Sequence, residues 1–552
     1  MHNDVPDDAQ HDVVILGGGL AGLTLAIQLR QQFPKLDVLV LERRRHPVPE
    51  SAHKVGESSV EIGANYFDTV LGLKEHLTQR QLRKFGFRFF FSEGRNDLEG
   101  VVELGASDYL TTPSYQLDRG ILENYLGELA RERGIGFVDG AVVRSFDLGS
   151  ATAAHQVRYE AAGETHEVRS RWLIDASGRA GLVKRKLNLA QDNAHDANAI
   201  WFRMSDRIDV DDWVTDEQWL KRCDPPHRWL STNHLCGEGY WAWLIPLSSG
   251  SHSVGIVCDA KLHPLETMNT FEKSLEWFRK HQPRMAEAIE SKRHLLQDFC
   301  FLRNFSYGCK QVFSGDRWAL TGEAGVFLDP FYSPGSDFIA ISNTYITDLI
   351  ARDLRDEYIG GHAHIYQQLY FSFYESTLSL YTDQYAMFGD PEVMPVKVIW
   401  DYTFYWGILC QIFFQRRLTD LSSISRVTAE LNQARALNFA MQKFMREWSQ
   451  SSQKRNAPIV LDQASLPWFA ELNRGLRDEV DEAGFRTRIK QNTAQLAALA
   501  KEIMDRACAQ CPELDAAEMR ALLGDASAAA EPMLFAELYD SLKDIAQARM
   551  AG

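Results

Sequence analysis

The sequence predicts an α/β fold in which a parallel sheet with glycine turns is interleaved with a strand-rich segment and followed by a helical lobe. Three observations predict it. Short apolar runs lead straight into glycine turns at Gly17–Gly22, at Asp175–Gly178 and at Gly322–Gly325. Residues 198–310 are dense in Trp and read as strands. From residue 356 onward the pattern is largely helical, with an Ala-rich stretch from 493.

The first element is Asp12–Leu16, a β-branched apolar run that reads as a buried strand. Gly17, Gly19 and Gly22 follow, Leu23 to Arg30 reads as a helix, and Val38–Leu41 is a second strand ending in Glu42. Strand, glycine turn, helix, strand and acid complete a Rossmann-like dinucleotide fingerprint. Gly17 permits the tight turn, Gly19 lets the backbone approach a pyrophosphate, and Gly22 lets helix and strand pack closely. The helix N-terminus offers N–H groups to phosphate. Glu42 would accept the ribose hydroxyls, with Arg43 beside it in the cofactor set. Phe85 to Phe91 reads as an aromatic strand, Leu122 to Arg133 as a helix, Trp172–Asp175 as a strand, and Ser336 to Arg355 and 425–450 as helices. The expected division is a domain over 11–355, carrying an interleaved substrate sheet at about 85–115 and 198–310, and a helical lobe over 356–552.

The 552 residues carry a formal net charge of -16, which argues against nucleic acid as a partner. Aromatic residues make up 11% of the chain, enough for a large aromatic core or for a pocket shaped to a flat ligand. The acidic start, Met1 to Asp12, lacks the basic and apolar regions of a secretory signal, and no uninterrupted apolar stretch is long enough to span a bilayer. Cytoplasm is the expected compartment. Of the eight cysteines only Cys508 and Cys511 form a CxxC pair, so no metal site is expected.

The later turns separate FAD from NAD. Asp175-Ala-Ser-Gly178 and Gly322-Glu323-Ala-Gly325 resemble the second and third FAD-contacting motifs of the aromatic-hydroxylase-type flavoproteins, and Leu117-Asp-Arg119 resembles their segment with a flavin-binding Arg. Glu323 stands where that group usually has Asp. Three more segments narrow the resemblance: Trp241-Ala-Trp243-Leu-Ile245-Pro246, Phe327 to Gly335 with Pro330 and Ser333 in register, and Gly56-Glu57-Ser58. Together they resemble the flavin-dependent halogenases, the tryptophan-halogenase-like family within the aromatic-hydroxylase-type fold.

The resemblance implies FAD reduced by a separate flavin reductase, a transient or diffusive partner, with chloride or bromide as the substrate ion. It implies that hypohalous acid is aimed by a catalytic lysine at an electron-rich aromatic. Lys84, beside Gly86 in an aromatic strand, is the candidate, with Lys54 and Arg83 as competitors. If the segment is one continuous strand, Lys84, Gly86 and Arg88 share a face. Ser333 and Gly335 would offer N–H groups to halide, in a pocket lined by Trp241, Trp243, Tyr332 and Pro334. Tyr332 replaces the Glu of the free-tryptophan group, so a phenol-like or pyrrole-like substrate, free or carrier-tethered, is expected. Glu61 departs from a common Pro. Asp337 is read either as a base or, preferably, as a helix N-cap. Val398–Phe414 is read as a roof over a substrate pocket, as a membrane or carrier surface, or as a core helix. Alternatives on the same fold are an aromatic hydroxylase, an isoprenoid-type reductase and a non-catalytic flavin scaffold.

Overall fold

Apolar, β-branched strands bury both faces of the first sheet. The computed structural model describes residues 9–50 and 56–524. They fall into two units, one of residues up to 82 with Leu117–Ala194 and Phe305–Tyr374, the other of Arg83–Gln116, His195–Asn304 and residues from 375. This is a different cut from the expected boundary at 355/356, because strand Val460–Asp462 adds to the edge of the second unit's sheet.

In the first unit, strand Ala9–Leu16 lies between Val38–Glu42 and Glu164–Asp175, parallel to both. Gly136–Asp139 and Trp318–Leu320 extend the parallel set, while His155–Ala161 and Val142–Asp147 add an antiparallel flank. Val13 to Leu16 and Leu173 to Asp175 are fully buried, as expected for a sheet covered on both faces. Helix Leu20–Gln32 follows the first glycine turn, and helix Gly335–Asp353 follows the third. The fingerprint strand, turn, helix and acid therefore sit as the sequence predicts.

The second unit is built on an eight-stranded sheet ordered Leu296–Leu302, Ala197–Met204, His252–Asp259, Tyr240–Pro246, Thr232–Gly237, Phe87–Phe90, Glu103–Gly105 and Val460–Asp462. Alternation sorts its faces. Tyr240, Ala242 and Leu244 join Phe202, Ile256, Trp277 and Phe278 in one core, covered by helices Phe271–His281 and Pro283–Ser291, which strand-only patterning of this region missed. Trp241 and Trp243 take the opposite face.

The aromatic stretch is a core element. Helix Met394–Phe404 runs through a wide π turn at Tyr405–Cys410 into Gln411–Phe414, and Trp400 and Trp406 are fully buried. Its one acid, Asp401, is neutralised by Lys397 at 2.7 Å, and Gln442 bonds both. Among the described residues no helix is long and apolar enough to cross a membrane.

Two buried imidazoles make stability depend on pH. Burial pushes His252 down to about 3, with repulsion from Lys292 and Arg207 adding to it. Burial and then Arg80 push His76 down to about 4. His252 Nδ1 accepts the Ile208 N–H, so its proton sits on Nε2. Both groups titrate below their unfolded value, so the unfolded chain takes up protons first as pH falls. Stability is therefore expected to fall from about pH 6.5 downward, by up to about 1.4 kcal/mol per unit for each group. His252→Gln is expected to flatten the slope in urea titrations; a midpoint that stays level from pH 6.5 to 4 would contradict this.

Candidate active site

The first glycine turn is shaped by close backbone approach. Gly17 has φ +114°, and a Cβ there would lie 2.3 Å from the Ala176 carbonyl oxygen. A Cβ on Gly22 would lie 1.9 Å from the Gly17 oxygen, whereas one on Gly19 would meet nothing within 4 Å. Gly17 and Gly22 are therefore structural, and Gly19 faces open space. Helix Leu20–Gln32 has no side-chain cap and no acid in its first turn, so its leading N–H groups suit an anion. Glu42 accepts Gly18 N–H at 2.6 Å through one oxygen and Arg44 N–H at 2.7 Å through the other. Each oxygen keeps a further lone pair for a ribose hydroxyl. Arg43 is exposed beside it.

The second and third turns divide their work differently from the expectation. Asp175 is fully buried, and the chain itself uses the carboxylate. Its Oδ1 accepts from the Ser177 N–H and hydroxyl, and its Oδ2 from Val183 N–H at 2.7 Å. Burial raises its pKa against these hydrogen bonds. Asp175 shapes the turn, while Gly178, at φ +61° with nothing within 4 Å of its Cβ position, leaves open space. Gly322, also at φ +61°, packs against helix residue Ala21, where a Cβ would come within 2.9 Å. Glu323 is half-buried, and its carbonyl accepts the Tyr307 hydroxyl at 2.7 Å. Arg119 donates to Gly56 O at 3.2 Å and to Glu123 Oε1 at 2.7 Å, and Leu117 N–H donates to Glu57 O at 2.6 Å. The structure thus joins Arg119 to the segment of Glu57 and Ser58, both buried.

The turn before helix Gly335–Asp353 corrects two expectations. Ser333 holds φ +52°, and its N–H is committed to Pro330 O at 2.9 Å, so it does not serve as a halide donor. Gly335 opens the helix, where the first N–H groups have no partner one turn earlier in the helix. Its Cβ position is open. Asp337 is not the N-cap, which is Pro334. Its carboxylate instead accepts Gly63 N–H at 2.8 Å, and a Cβ on Gly63 would sit 2.2 Å from Ser336 Oγ. Gly63 thus brings helix Glu61–Asn65, with buried Glu61 at its start, against this turn. Tyr332 is half-buried, edge-on to Phe331.

In the second unit, Lys84 is buried, 4% exposed. Its N–H donates to Ser114 O, and its ammonium lies 3.3 Å from the Phe87 ring centroid. That contact overturns the single continuous strand: Gly86 takes φ +84°, so the strand starts at Phe87 and Lys84 folds onto a phenyl face. Nothing lies within 4 Å of the Gly86 Cβ position. Arg88, by contrast, is buried in ion pairs with Glu103, which also binds Arg228. Of the competing cations, Arg83 is exposed and lies over the Tyr109 ring, and Lys54 lies outside the described residues.

Rings continue from Phe87 along one sheet face. His234 lies 5.3 Å from Phe87 and 5.2 Å from Trp241, whose own ring is 5.5 Å from Trp243. Tyr402, from the aromatic stretch, lies 6.0 Å from Phe87. Both indoles are buried with satisfied N–H groups, Trp241 on the Tyr385 hydroxyl at 2.9 Å and Trp243 on Ser253 Oγ at 3.1 Å. Trp243 also covers Gly255, where a Cβ would lie 2.2 Å from the indole. The structure thus brings Lys84 and the two tryptophans onto one aromatic face. His234 and Tyr385 were missed in the sequence because isolated rings carry no spacing signal, whereas Tyr402 belongs to the aromatic stretch read as a possible pocket roof.

The family described as FAD binding domain matches residues 10–274. A flavin-dependent halogenase of Dictyostelium discoideum is 26% identical over 453 residues, covering 74% of this chain and 73% of the relative. These likenesses support a flavin-dependent halogenase. The chain is also 28% identical over 337 residues to the 1H-pyrrole-2-carbonyl-(peptidyl-carrier protein) brominase of Pseudoalteromonas luteoviolacea, covering 59% of this chain and 74% of that one. Its fold is that of the crystal structure of halogenase PltM, at TM-score 0.63 and 18% identity over 89% of this chain and 97% of the other. The relatives are flavin-dependent halogenases, enzymes of the FAD oxidoreductase type, and the cradle of Gly17, Gly19, Gly22, Glu42 and Gly178 fits FAD in donors, glycine clearances and open space. Among the described residues no His, Cys, Asp and Glu cluster could hold a metal ion.

Proposed function

We propose that this protein halogenates an electron-rich aromatic of phenol or pyrrole type, free or carrier-tethered, with Lys84 delivering the halogen. FAD, when bound and reduced by a separate flavin reductase, would supply two electrons that activate dioxygen, and dioxygen is the oxidant that turns chloride or bromide into hypohalous acid. Gly17, Gly19, Gly22, Glu42, Gly178 and Arg119 are the residues for the cofactor. Gly335, at a helix start, offers N–H dipole to the halide. The observation that carries the reading is buried Lys84, whose ammonium lies on the Phe87 ring at one end of the aromatic face that includes Trp241 and Trp243. An ammonium in such a place donates a hydrogen bond to hypohalous acid, or its amine bonds the halogen; the aromatic carbon then takes the halogen and loses its proton as water forms.

The substrate class rests on Tyr332 and on the relatives. Tyr332 stands where a second carboxylate would assist a weakly activated ring, and activated rings need less help. Two relatives are named for pyrrolyl groups on a carrier protein, and one is a tetracycline 7-halogenase. The cytoplasm is the compartment this reading assigns. Cofactor consumption tests the class of reaction. The purified protein is expected to leave NADPH unoxidised by itself and to form product only with an added flavin reductase and halide. Rapid NADPH oxidation by the protein alone would instead indicate a hydroxylase or reductase.

A further inference from the structure

We propose that Lys184 and Tyr307 form a strut that sets the spacing between the second and third flavin-binding turns, making both positioning residues for FAD. Neither was singled out by the sequence motifs. Short helix Leu182–Lys186 grows out of the second turn and is pinned to it by Val183 N–H on Asp175. From that helix the Lys184 side chain crosses to the third turn. Its ammonium donates to Gly325 O at 3.0 Å and lies 3.9 Å from the Tyr307 ring centroid. Tyr307 donates its hydroxyl to Glu323 O at 2.7 Å, and its backbone pairs with Phe327 in both directions. Two carbonyls of the Gly322–Gly325 turn are thereby held by one lysine and one tyrosine.

Lys184 is 7% exposed. A lysine with no such duty stays in solvent, and a buried ammonium is kept only where hydrogen bonds and opposite charge offset its desolvation. Asp175 and Glu323 supply that charge, Cys309 faces it as well, and Arg179 opposes it. The third turn touches the first helix at Ala21. A shift of the strut therefore moves the turn that Glu323 belongs to and the glycine packing beside the fingerprint together.

The test is FAD affinity of the full chain, read by flavin fluorescence, with kcat and the KM for FAD measured separately. It rests on FAD binding, which the parent protein's own titration reads. Lys184→Met is expected to weaken FAD binding about tenfold. Tyr307→Phe is expected to weaken it several-fold and Lys184→Arg to restore part of the loss. At saturating FAD, kcat should stay within about twofold of the parent, because neither residue is proposed to touch the reacting atoms. The two changes combined should cost less than the product of their separate effects, since both cut one strut. FAD affinity within twofold of the parent in Lys184→Met and Tyr307→Phe would overturn the proposal. So would a loss of kcat with unchanged affinity. Should Lys184→Met fail to fold, Tyr307→Phe alone decides by the same criteria.

Discussion

Lys84→Met is expected to bind FAD as tightly as the parent and to release halogenated product at least about a hundredfold more slowly. The methionine keeps the length of the stem and fills the same space against Phe87, so the aromatic face stays packed. What disappears is the only cation that the described structure brings against the Phe87 ring, 3.3 Å from its centroid. A positioned group that donates to or bonds the reacting atom contributes about 10²–10⁴ in rate. The cofactor motifs lie elsewhere in the chain, so visible flavin absorbance and FAD affinity should not move. Arg83→Ala serves as the control: Arg83 is exposed over Tyr109 and should leave the rate within about twofold. A Lys84→Met protein that halogenates at the parent rate would remove the lysine from the mechanism.

Gly17→Ala should lower FAD affinity by about a hundredfold or more and destabilise the chain as well. The added Cβ meets the Ala176 carbonyl oxygen at 2.3 Å while the backbone holds φ +114°. Left-handed strain and a clash with backbone each cost about 1–3 kcal/mol. Relief requires strand Ala9–Leu16 and the Asp175–Gly178 turn to part, and both border the cofactor cradle. Gly19→Ala separates the two effects. Its Cβ position meets nothing of the protein within 4 Å, so stability without FAD should be unchanged while FAD affinity falls. Fluorescence titration alongside urea denaturation reads both. Equal FAD affinity in Gly19→Ala and the parent would mean that the pyrophosphate does not approach there.

Motifs with fixed spacing were legible in the sequence. Gly17, Gly19, Gly22 and Glu42 needed only chain order, since the strand, turn, helix and acid are local. The same holds for Trp241 and Trp243, whose shared face follows from strand alternation. Contacts between distant segments were not legible. Asp337 reads as a cap because caps are local, yet its carboxylate meets Gly63 N–H, 274 positions away in sequence. Asp175 reads as a cofactor contact because the motif contains it, but it is fully buried and both of its oxygens accept hydrogen bonds from residues 177 and 183 of its own segment. Continuous alternation through Lys84 failed because glycine adopts positive φ at little cost, which one-dimensional patterning does not register. The Val398–Phe414 stretch is apolar enough for several roles. Its burial and the Lys397–Asp401 pair identify it as core.

The central claim is that reduced FAD and Lys84 together put a halogen on an activated aromatic ring. Mass spectrometry tests it most directly. The purified protein, a flavin reductase, NADH and bromide are incubated with a panel of phenols and with a pyrrolyl group on a carrier protein, using parent and Lys84→Met in parallel. The account predicts the paired bromine isotope pattern on at least one ring with the parent, and its loss with Lys84→Met while FAD remains bound. A product gaining oxygen in place of bromine, or bromination that survives in Lys84→Met, would contradict it.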